Sequence, residues 1–139
     1  MAITQAMCSS FKQQILLGEH DLDTDVIKLA LFTSAATLSA ATTAYSTSDE
    51  VVGTGYTAGG NTLTGATVSL SGTTAYVDFS DTTWTTATIT ARGALMYNSS
   101  KSNKAIAVLD FGADKTSTAG DFTVQFPTND ASSAIVRIA

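Results

Sequence analysis

One cysteine, one histidine and one proline occur in 139 residues, and each scarcity excludes a class of chemistry. With Cys8 alone, no intrachain disulfide can exist; the fold must rest on packing, and a reducing cytoplasm is the simplest place of synthesis. With His20 as the sole imidazole, a zinc site of several Cys and His ligands cannot form within one chain. Charge is also sparse. Asp, Glu, Lys and Arg make up 14% of the chain, against about 25% in an ordinary soluble domain. The net charge is −5 and the seven basic residues are scattered, which argues against sequence-independent binding to nucleic acid or to an anionic membrane. No run approaches the roughly 20 apolar residues that span a bilayer. The chain does not open on a basic flank followed by a long apolar run, so it reads as soluble and unprocessed.

What is present instead is hydroxyl. Threonine and serine supply more than a quarter of the residues, in runs such as Thr82-Thr83-Trp84-Thr85-Thr86. Threonine is β-branched and fits a half-exposed strand better than a helix interior. The Ile, Val, Leu and aromatic residues between the threonines are too many and too regular for a disordered tail. The expectation is one β-rich domain over residues 1–139, with a surface that is polar and nearly uncharged.

The first segment has a different period. Ile3, Met7, Phe11 and Ile15 recur every four residues, which predicts an amphipathic helix over about residues 4–17, with Thr4 as N-cap and Gly18 as its left-handed end. From Asp25 the period drops to two, and Ile27 to Thr33 reads as the first strand. Residues 34–48 have no sustained period and read as a surface connection. Gly53, Gly55, Gly59 and Gly60 mark a tight loop. Short strands then follow at Thr67 to Leu70, Thr74 to Phe79, Thr85 to Ala91, Ala94 to Tyr97, Ala105 to Phe111, Asp121 to Phe126 and Ala134 to Ile138. Ser71-Gly72-Thr73 and Asn98 to Asn103 read as turns, and Pro127 stops a strand. Strands following strands without intervening helices exclude βαβ crossovers. The fold class is mainly β: an antiparallel or mixed sandwich or barrel with one N-terminal helix.

Several arrangements invite a chemical reading. Cys8 and His20 could form a nucleophile pair, but Cys8 lies beside the helix's apolar stripe, where a buried thiol is the better reading. Asp21, Asp23 and Asp25 begin like an EF-hand loop, yet Val26 stands where glycine is required and Phe32 where a bidentate glutamate belongs. They read as a solvated helix-to-strand turn. The Gly53–Gly60 cluster lacks the buried strand before it and the helix after it that a dinucleotide fingerprint needs. No G-x-S-x-G elbow supports a serine hydrolase. A glycosidase needs two carboxylates flanking a cleft; Glu19 and Glu50 are the only glutamates, and Asp78, Asp81, Asp110 and Asp114 sit at strand ends. Trp84, Tyr97, Tyr76 and Tyr56 could line a sugar- or partner-binding face, with Trp84 better read as a core plug. Asn98-Ser99-Ser100 matches a glycosylation sequon. No catalytic, cofactor-binding or metal-binding residue is assigned, and no cofactor is expected.

Taken together, residues 3–12 and the strand Ile27 to Thr33 resemble a family of small virion structural proteins of tailed bacteriophages. Residues 50–60, Thr88 to Ala94, Val108 to Gly112 and Phe122 to Pro127 are similar to that family's glycine-rich loop and central strands, so the likeness covers nearly the whole chain. Its motifs are structural and specify no chemistry. The resemblance implies a non-enzymatic particle component, and among these a capsid decoration, or cement, protein located on the virion's capsid surface and made in the host bacterial cytoplasm. It implies the major capsid protein as partner and a homo-oligomer, with a trimer favoured, and neither nucleic acid nor membrane. A tail, head–tail or receptor-binding component is the alternative, and a small hydrolase the third reading.

Overall fold

The computed structural model describes residues 2–127, 130 and 132–138. The chain is mainly β, in two antiparallel sheets. Five strands form the larger sheet: β1 (Ala6–Met7), β2 (Ile27–Phe32), β3 (Asn61–Thr62), β6 (Thr82–Asn98) and β7 (Lys104–Val124), in the order β1-β7-β6-β2-β3. The smaller sheet runs β4 (Thr67–Ser71), β5 (Thr74–Asp78) and β8 (Val136–Ile138). One α-helix, α1 (Ser9–Leu16), lies near the N-terminus.

One apolar cluster joins both sheets. Phe11, Leu29, Leu31, Leu95, Met96, Ile106 and Val108 are almost wholly buried in it, and the smaller sheet adds Val77 and Val136. The central strands lack the polar alternation of a half-exposed sheet: Leu29 to Phe32 and Ala94 to Tyr97 leave almost nothing to solvent. Both faces of β2 and of the inner half of β6 are therefore covered, the condition under which strands read as continuous apolar runs.

The helix is shorter than its sequence period predicts. Thr4 is not its N-cap; residues 4–8 are extended, Ala6 and Met7 pair with Val108 and Ala107 of β7, and the Cys8 N–H donates to the Ile106 carbonyl. Cys8 takes the N-cap position with φ −66° and ψ 135° and gives no side-chain cap. The apolar spacing of Ile3 and Met7 is satisfied by an extended chain on the edge of β7, and backbone pairing there outweighs a further helical turn. At the other end Gly18 has the left-handed backbone expected of it, φ +72°.

Two pairs of short strands merge. Thr85 to Ala91 and Ala94 to Tyr97 are one strand, β6, and Ala105 to Phe111 and Asp121 to Phe126 join through residues 112–120 into β7. The connecting residues of β7 are small and polar, because there the strand is bulged. Residues 111–114 oppose Arg92 alone, and Thr118 and Ala119 oppose Thr88. Such bulges bend and twist a hairpin and re-aim its side chains. The turn between β4 and β5 lies where it is expected, with Gly72 at φ +58°.

Candidate functional site

Three features gather the side chains capable of chemistry or recognition. The first surrounds Glu50, 7% exposed. Its Oε1 accepts from the Tyr45 hydroxyl at 2.6 Å; its Oε2 accepts from the Tyr56 hydroxyl at 2.6 Å and the Gly59 N–H at 2.8 Å. Tyr56 Oη also accepts from the Leu31 N–H at 2.9 Å, and the Tyr97 hydroxyl donates to the Gly59 carbonyl at 2.6 Å. Tyr45 and Tyr97 stack with ring centroids 4.5 Å apart. Burial, and then the Glu50 carboxylate, raise the pKa of Tyr45 and Tyr56 well above the ordinary phenol range; burial and the same charge push Tyr97 up to about 12. These hydroxyls stay protonated as donors. No Lys, Arg or His nitrogen lies within 4 Å of Glu50 among the described residues. The carboxylate is thus held by neutral donors and ties Tyr45, Tyr56 and Gly59 to one another, while the Leu31–Tyr56 and Tyr97–Gly59 bonds fasten residues 45–60 onto β2 and β6.

The glycines of that loop serve the same packing. A Cβ on Gly53 would stand 2.5 Å from the Thr88 carbonyl oxygen and 2.9 Å from Ile89 Cγ2, so the loop lies directly on β6. Gly60, at φ +77°, has its backbone against Leu29 and Ala30. The glycine-rich segment is a close backbone approach, and no helix follows it to hold a phosphate.

The second feature is built around His20. Its Nε2 lies 2.9 Å from Gln14 Oε1 and its Nδ1 3.0 Å from Asn98 Nδ2. The amide can only donate to Nδ1, so the proton of the neutral ring is on Nε2 and points to Gln14. Asn98 Nδ2 donates also to Asp25 Oδ2 at 2.8 Å. Burial, then the Lys104 charge, lowers the His20 pKa from 6.5, against the opposing pull of Asp25 and Glu19. Burial raises the Asp25 pKa, but hydrogen bonds from Asn98 and the Asp21 N–H more than offset this and leave it lowered.

These contacts place the residues singled out in the sequence. Both His20 nitrogens are engaged elsewhere than on Cys8, which is fully buried, and burial pushes its thiol up to about 11. A thiol so protonated is no nucleophile. The D-x-D-x-D run is a turn: Asp21 Oδ1 accepts from the N–H groups of Asp23 and Thr24, and Asp25 Oδ2 accepts from that of Asp21. Among the described residues no three His, Cys, Asp or Glu side chains converge on a metal-sized site. Asn98, 0% exposed, is closed to a glycosylating enzyme. Trp84 is a core plug, tilted against Tyr56 at 5.8 Å and edge-on to Phe122 at 6.3 Å. Asp81 accepts from the Phe126 N–H. Asp110 accepts from the Gly112 N–H and pairs with Arg92 at 3.2 Å, both of which hold its pKa low. Glu19 pairs with Lys104 at 3.3 Å.

The third feature is a groove of about 630 Å³ between the end of α1 and the smaller sheet. Ile15, Leu22, Val68, Val77, Val136 and Ile138 give it apolar walls, and the exposed Asp21 and Asp23 line it too. The sequence reading missed both the groove and the Glu50 centre. A glutamate amid small hydroxylated residues carries no local mark of burial; the only hint was the proximity of Tyr45 and Tyr56 to it. Against known proteins, no family model, no curated protein and no solved structure matches this chain.

Proposed function

We propose that this chain is a structural component of a tailed-phage particle, a capsid decoration protein that binds the major capsid protein and stabilises the shell by bridging its subunits, acting as a homo-oligomer without catalysis. The observation that carries this reading is how the polar groups are spent. Buried Glu50 binds Tyr45, Tyr56 and Gly59 of its own loop, and Tyr56 and Gly59 in turn bond to Leu31 of β2 and Tyr97 of β6; buried His20 joins Gln14 of α1 to Asn98 of β6. What faces outward is hydroxyl-rich strand. Thr83 bonds Thr123 and Thr90 bonds Thr116 across β6 and β7, each at 2.9 Å on exposed surface. Such a surface offers many donors and acceptors with little charge to desolvate, and repetition on a symmetric shell multiplies weak contacts. The resemblance of residues 3–12, 27–33 and 50–60 to small virion proteins supports the same role.

Electron microscopy of intact virions carrying a tagged chain tests it. Hundreds of copies over the capsid surface support decoration; a few to some dozens at the tail or the head–tail junction replace it with that alternative. Particles stripped of the chain should lose resistance to heat and osmotic shock. Full retention of that resistance would remove the physical content of the cement role.

A further inference from the structure

Five of the seven large apolar side chains left exposed among the described residues belong to one place. Val68 and Ile138 line the groove beside α1, and Leu70 lies two residues beyond Val68 on the same face of β4. Leu16 and Leu17, 88% and 67% exposed, stand between Ile15 and Gly18, which both line the groove. An apolar ridge therefore adjoins an apolar groove. The ridge does not fill its own groove: neither leucine lines it, and the backbone of the ridge is held by the N–H groups of Leu17 and Gly18 donating to the carbonyls of Gln13, Gln14 and Ile15.

The charges around the two are complementary. Lys12 is exposed one turn before Leu16, on the same side of the helix, with no carboxylate within 4 Å among the described residues. Asp21 and Asp23, on the groove, are exposed with no basic nitrogen within 4 Å among the described residues. A cation beside the ridge and acids beside the groove match when ridge and groove come from different molecules.

We propose that this surface is a self-association site, in which Leu16 and Leu17 of a second copy enter the groove and its Lys12 meets Asp21 and Asp23. Because ridge and groove share one surface, a two-fold axis between them would fill both grooves at once. The inference deepens the self-association part of the proposed function and rests on it; it does not depend on the chain's place in a particle.

Sedimentation velocity on the full chain over a concentration series tests it. The wild-type chain should self-associate, and the double substitution Leu16→Glu, Leu17→Glu should weaken association by about 100-fold or more, as for loss of a central interface anchor. Both residues are exposed, so circular dichroism, and the thermal midpoint measured at a concentration where both chains are monomeric, should hold. A charge swap supplies an independent arm that keeps the apolar contact. Lys12→Asp should weaken association about 10-fold, and adding Asp23→Lys should restore it. Asp23 is chosen because Asp21 holds its turn by accepting backbone hydrogen bonds. An oligomer insensitive to both sets of variants would overturn the groove as its site while leaving self-association standing. A chain that stays monomeric to about 1 mM, the edge of meaningful affinity, would overturn both.

Discussion

The two sheets draw on one apolar cluster but differ in how far they are closed. In the larger sheet, Leu29, Leu31, Leu95 and Met96 are wholly buried on strands covered on both faces. In the smaller sheet, the pairs Val68–Val77 and Val77–Val136 start one apolar face that Leu70, Ala75 and Ile138 continue. Val77 and Val136 are 3% exposed, whereas Leu70 is 73% and Ile138 50% exposed. The same alternation of apolar residues thus puts Val77 and Val136 in the core and leaves Val68, Leu70 and Ile138 as open surface. Apolar residues on a strand mark a face to be covered, and the chain itself covers only part of this one.

The largest effect should come from cutting into the closed sheet. Leu29→Ala should cost about 3 kcal/mol of unfolding free energy in urea denaturation, since the cavity left between packed strands cannot collapse. A loss below about 1 kcal/mol would mean that the larger sheet is looser than its burial indicates. Next comes the centre that fastens the loop to it. Glu50→Leu strands two tyrosine hydroxyls and the Gly59 N–H, and should cost about 2–4 kcal/mol by the same measurement. Glu50→Gln keeps an acceptor and should cost less. If the two variants were equal, the carboxylate would not be organising the donors.

The His20 contact between the groove and the larger sheet should give a smaller effect that depends on pH. Its folded pKa lies below its ordinary 6.5, so the unfolded chain binds the proton more readily. The stability due to neutral His20 is complete above about pH 6.5 and is lost as pH falls through the folded value. Between pH 7.5 and 5.5 the thermal midpoint should fall for the wild type and much less for His20→Gln. A parallel fall in both would assign the pH response elsewhere. The smallest effect belongs to the open face: Leu70→Thr should change the stability of the isolated monomer by no more than about 0.5 kcal/mol. A larger loss, measured at a concentration where the chain is monomeric, would mean that the face is covered within the chain.

Much of this architecture is legible in local pattern. The β2 strand, the β4–β5 hairpin turning at Gly72, and the left-handed Gly18 follow from side-chain period and glycine placement, which act over a few residues. The start of α1 does not, because Ile3 and Met7 suit a helix stripe and an extended edge equally, and what decides between them is β7, whose Val108 and Ala107 pair with Ala6 and Met7 from the far part of the chain. The continuity of β7 through residues 112–120 is hidden for a similar reason. Small polar residues signal a turn unless a facing strand, here residues 87–92, holds them extended through bulges.

Residue composition and spacing were enough for a mainly β chain with one helix near the N-terminus, without an intrachain disulfide or a zinc site of several Cys and His ligands within one chain, because these depend on counts and local periods. Only folding decided that Glu50 is buried among Tyr45, Tyr56 and Gly59, that His20 binds Gln14 and Asn98, and that Leu16 and Leu17 stand beside a groove lined by Val68 and Ile138. The His20–Asn98 contact joins positions 78 residues apart, and the groove brings the end of α1 against β8 from the other end of the described chain; no local period encodes which distant backbone will meet a given side chain.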